Sequence, residues 1–72
     1  MDNIEEASEK ILQRINELTF ANVPNITRMI QSESGKSDVI NHIIKLMTVL
    51  RYDLDRSIQQ ADKFYSLNFE TD

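Results

Sequence analysis

Apolar residues recur at steps of three and four near the start of the chain: Ile4, Ala7, Ile11, Ile15 and Leu18. At about 100° per residue these positions form one stripe, so residues 3 to about 21 are expected to be an amphipathic helix. Asn3 and Glu6 have the spacing of a capping box, and Glu5 and Glu6 suit the positive end of a helix. The opposite face carries Glu9, Lys10, Gln13 and Glu17 and reads as solvated.

Pro24 lacks an amide hydrogen and biases Val23 away from helical angles, which predicts a break or kink after the first helix. Ile26, Met29 and Ile30 then resume a helical step, giving a second helix over about 24–33. Gly35 is the only glycine of the chain. It reads as the C-terminal cap of that helix and the centre of the main turn. Ser37 is placed to cap a third helix, and neither glycine nor proline follows, so one helix is expected over about 37–66 with a frayed tail at 67–72. The expected architecture is all-α, a single domain over 1–72: an antiparallel helical hairpin, its first arm broken at Pro24, forming part of an oligomeric helical bundle.

The densest apolar stretch holds Val39, Ile40, Ile43, Ile44, Leu46, Met47, Val49 and Leu50. On a helical wheel these sweep an arc of about 220°, wider than one neighbouring helix covers. Leaving three or four such side chains wet forgoes about 6 to 10 kcal/mol, comparable to the whole stability of a small domain. These eight residues are therefore the expected partner interface, with Ile40, Ile43, Ile44, Met47 and Leu50 as a seam shared with another chain and Ile11, Ile15 and Leu18 closing the hairpin. The alternative is a three-helix monomer in which the Ile26–Ile30 piece folds over the exposed side.

Composition narrows the function. A chain of 72 residues without cysteine has no disulfides to reinforce a small core, which leaves association as the usual remedy. Its 12 acidic and 8 basic residues give a net charge of -4, the wrong sign for general affinity to nucleic acid. The acidic N-terminus is unlike a signal peptide, no apolar run is long enough to span a bilayer, and the expected location is cytoplasmic or nuclear.

The candidate chemistry is thin. His42, with Asp38 one turn earlier, has too few companions to hold a metal and reads as a residue at the rim of the core. Gly35-Lys36-Ser37 ends like a phosphate-binding loop but lacks the first glycine and the preceding strand. Asn25-Ile26-Thr27 matches a glycosylation sequon without a secretory signal. Asp53, Asp55 and Asp62 read as solvated charge rather than a catalytic pair. Lys45, Arg56 and Lys63 line one outer face of the expected long helix, and a short turn before that helix has a helix-turn-helix look. An opening of Ser37-Asp38-Val39-Ile40 does not suit base or phosphate contacts. The sequence thus predicts no enzyme, no cofactor and no membrane contact. It predicts a non-catalytic scaffold or adaptor subunit of a homo- or hetero-oligomeric assembly, with a small transcriptional regulator acting through DNA or a DNA-bound protein as the alternative.

Overall fold

The computed structural model describes residues 3–70, with side chains left aside at 3–4, 19–21 and 67–70. The expected Asn3–Glu6 capping box, the Ile4 end of the first stripe, the Phe69 side chain and the last two residues of the tail thus lie outside the described set. Four helices account for most of the rest: α1 (Asn3–Asn22), α2 (Pro24–Met29), α3 (Glu33–Thr48) and α4 (Leu54–Glu70). The all-helical expectation holds, α1 falls close to its expected span, and α2 starts at Pro24 as expected but ends at Met29 rather than near 33. The radius of gyration is 11.4 Å, near the roughly 11 Å expected of a closed domain of this length.

Every helix supplies the core. Ile11 and Ile15 of α1, Val23 of the first connection, Ile26 of α2, Val39 and Ile43 of α3, and Ile58 and Ala61 of α4 are all buried together. Leu18, Met29 and Ile30 pack partly against them. The apolar stripe of α1 thus meets three other helices, and α2 closes over the bundle with Ile26 wholly buried.

Three expectations are corrected. The single helix over 37–66 is two helices, with a break at residues 49–53. α3 closes when the Tyr52 amide donates back to the Leu46 carbonyl at 3.3 Å, with Arg51 in the left-handed region at φ 61°. α4 opens on Asp53, whose Oδ1 accepts the Arg56 amide at 2.8 Å, a side-chain cap on the first turn. The two matched arms of a hairpin therefore give way to four shorter pieces, and α4 carries on through residues 67–70, where a frayed tail was expected.

The third correction concerns Gly35 and Ser37. Ser32, not Ser37, caps α3, its hydroxyl accepting the Gly35 amide at 3.1 Å. Gly35 lies inside the first turn of α3 rather than ending α2, and its φ is not positive. A Cβ there would fall onto the Met29 carbonyl oxygen and close to the Ser32 hydroxyl. The chain needs glycine because α2 hands over to α3 at that close approach, not because of an unusual dihedral.

Two polar links fix the helices to each other. Arg14 of α1 donates from Nε and Nη2 to the two carboxylate oxygens of Asp55 at 2.8 and 3.0 Å, and from Nη1 to Glu17. Asp62 of α4 accepts the Asn25 and Ile26 amides at 2.8 and 3.0 Å, closing the N-terminus of α2, where Val23 offers no side-chain cap.

Candidate interaction surface

Once four helices share the core, most of the wide apolar arc of α3 is spoken for. Val39 and Ile43 have no exposed surface, so they have none to share with a partner. Ile40, Ile44, Leu46 and Met47 are partly buried against the chain's own core. Within the chain, α1, α2 and α4 together cover much of what a single hairpin arm was expected to leave open. What remains outside is the C-terminal end of the arc, with Val49 68% and Leu50 52% exposed.

Phe64 of α4 is 46% exposed and lies against His42 of α3. Its ring centroid stands 4.8 Å from that of His42, the Tyr65 ring stands 5.7 Å from His42, and the two phenyl rings meet edge to face at 5.1 Å. Such geometry suits the quadrupoles of the rings and makes a firm aromatic platform. Partial burial, with a smaller contribution from Lys45, holds the His42 imidazole below its ordinary pKa. Burial, aided by the Asp38 carboxylate, pushes the Tyr65 phenol up. A shallow cleft of about 240 Å³ between Asp38, Asn41, His42, Lys45 and Tyr65 opens beside the platform.

Other candidates are occupied by structure. Among the described residues no three His, Asp or Glu side chains converge as a metal site. Lys36 pairs with Glu33 at 3.5 Å, and Ser32 already caps the helix where a phosphate-binding loop would end. The Asn25 side-chain amide faces Asp62, and Thr27 is buried with its hydroxyl donating to the Val23 carbonyl at 2.6 Å, so the sequon is folded into the α2–α4 contact. The three carboxylates read as solvated charge each have work: Asp53 caps α4, Asp55 pairs with Arg14, and Asp62 caps α2. The expected basic stripe is divided between two helices, and Arg56 lies over the Tyr52 ring at 4.2 Å.

A cleft of about 380 Å³ is lined by Asn22, Asn25, Gln59, Gln60, Asp62, Lys63 and Ser66. It is wide and polar, and its one carboxylate is committed to capping α2. A smaller groove of about 250 Å³ between Ala7, Ile11, Met47 and Leu54, with Glu6 and Lys10 at its edge, is more apolar. No described helix is long and apolar enough to cross a membrane. Sequence reasoning missed Phe64 as an exposed residue, because on an unbroken helix it shares the stripe of Ala61 and Ile58, which are buried.

Compared with protein-family models, curated proteins and solved structures, the chain matches none.

Proposed function

We propose that this chain is a non-catalytic protein–protein interaction module, a scaffold or adaptor subunit that docks through the face holding Val49, Leu50 and Phe64. The observation that carries this reading is the exposure of these three large apolar side chains on a chain that otherwise closes its own core. Each forgoes about 1 to 2 kcal/mol of burial while it stays wet. Aromatic and aliphatic anchors beside a polar rim are the usual material of binding hot spots. The face also lacks the features of a reaction centre. His42, the one histidine, stacks on aromatic rings, and among the described residues no acid and base converge in a deep cleft.

A photo-crosslinking residue at position 49, in extract of the source cell, tests the reading against the same probe at the exposed position Gln13. Adducts specific to position 49 are expected. Equal labelling at both positions, or none at 49, overturns it.

A second reading, a small regulator acting through DNA, draws on the three-residue turn between α2 and α3. The first turns of α3 present Glu33, Ser34, Ser37 and Asp38, which oppose a phosphate backbone. DNA retention at low salt, lost on charge reversal of Lys45, Arg56 and Lys63, would establish it, and no retention removes it.

A further inference from the structure

The interaction reading leaves the partner open, and the inference that follows rests on it. α3 presents Asp38, Asn41, His42, Lys45 and Val49 at steps of three and four residues, a single stripe along its outer side. Asp38, Asn41, Lys45 and Val49 are exposed, and His42 is half-buried against Phe64 and Tyr65.

The stripe carries one acid and one base, two turns apart, or about 10 Å along the axis. Among the described residues neither enters an ion pair within the chain, whereas Arg14, Glu17, Asp55, Glu33 and Lys36 do. Asp38 and Lys45 also stand at equal distances from the midpoint between Asn41 and His42. A second α3 laid antiparallel across the first, with a two-fold axis through that midpoint, sets Asp38 of each copy against Lys45 of the other. Asn41 then faces His42, and Val49 faces the small side chain of Ser34. A parallel arrangement would instead set Asp38 against Asp38 and Lys45 against Lys45, so charge selects the antiparallel one.

We propose that the outer stripe of α3 is an isologous interface whose occupant is a second copy of this chain, joined by two symmetric Asp38–Lys45 pairs. An isologous contact requires a surface complementary to itself, with residue i meeting j and j meeting i. The 38/45 placement has that property. Phe64, stacked on His42, sits beside the axis, so the two aromatic platforms flank the centre and supply the apolar contact, while the paired charges fix the register.

Sedimentation equilibrium of the purified full chain tests this. The wild type is expected to dimerise, and D38K or K45E to weaken dimerisation about tenfold or more, since each variant turns both pairs repulsive. An equimolar mixture of D38K and K45E is expected to recover wild-type affinity through the mixed dimer. There the new cation at position 38 of one copy meets the new carboxylate at position 45 of the other, and the unchanged Lys45 meets the unchanged Asp38. Circular dichroism should keep its wild-type amplitude, as neither side chain belongs to the buried core. If D38K unsettles α3, the neutral variants D38N and K45Q replace the reversals, with smaller losses expected. A wild type that stays monomeric, reversals without effect, or a mixture that fails to recover each overturns the proposal. A monomeric wild type with foreign adducts at position 49 ends the second-copy inference and leaves the interaction reading standing. Absence of any specific adduct ends the interaction reading itself.

Discussion

The carboxylate of Asp62 accepts the Ile26 amide at 3.0 Å across 36 residues of sequence. It thereby completes a helix that cannot cap itself. α2 has Pro24 in its first turn and no side-chain acceptor at Val23, so its amides depend on α4, and the fold of α2 is bound to the position of α4. Asp62→Ala is expected to lower stability by about 1 to 2 kcal/mol, as loss of an N-cap acceptor does. Asp62→Asn, which keeps one oxygen, should lose less. Urea unfolding followed by circular dichroism reads both, and equal losses for Ala and Asn would show that the hydrogen bonds are not what Asp62 supplies.

Gly35 stands where a methyl group would strike the Met29 carbonyl oxygen. Gly35→Ala normally gains helix propensity inside a helix. Here it is expected to destabilise by about 1 to 3 kcal/mol, since backbone must shift to admit it. A neutral or stabilising result would mean that α2 and α3 do not approach so closely.

Arg51 makes the opposite case. Its φ of 61° costs a side-chain-bearing residue about 1 to 2 kcal/mol, and glycine escapes that cost at some loss of chain entropy. Arg51→Gly is expected to raise stability by up to about 1 kcal/mol, and Arg51→Val to lower it. Thermal melting of the two variants should move in opposite directions, and equal shifts would place the break between α3 and α4 elsewhere.

His42 gives the fold a dependence on pH. Burial beside the Phe64 and Tyr65 rings, then Lys45, holds its pKa below the ordinary value of 6.5. The unfolded chain therefore takes up the proton first as pH falls. Its contribution to stability is whole above pH 6.5 and declines as pH falls through that value to the folded pKa, where the loss levels off. His42→Asn is expected to flatten this segment of the stability profile. The Arg14–Asp55 link loses strength further into acid, as the depressed Asp55 carboxyl protonates. A wild type and H42N with superimposable profiles between pH 5 and pH 7, about the range where histidine titrates, would count against the buried-rim placement.

How far the residues foretell the fold depends on how many positions share a signal. The stripe of α1 repeats over five positions, and Ile11 and Ile15 fall into the core as their spacing requires. Pro24 marks the first break because it acts through its own ring. The second break leaves no such mark. It uses a left-handed arginine and an aspartate cap, and its only local signs are Asp53 three residues before Arg56 and Asp55 in the first turn of α4. Reading through it merges α3 with α4, exaggerates the arm and makes the apolar arc look unaccompanied. The arc itself is legible, but which part stays wet depends on helices far away in sequence, so only Val49 and Leu50 of the eight expected interface residues are left exposed. Asp62 as a cap for α2 has no local signature at all.

The most direct test of the central claim is the unfolding free energy of a Val49→Ser, Leu50→Ser double variant in dilute solution. If these side chains face a partner rather than the chain's own core, the double variant should remain within about 1 kcal/mol of wild type. A loss of about 3 kcal/mol or more, the scale of a core truncation, would show that both serve the bundle itself and would contradict the account of an interaction face.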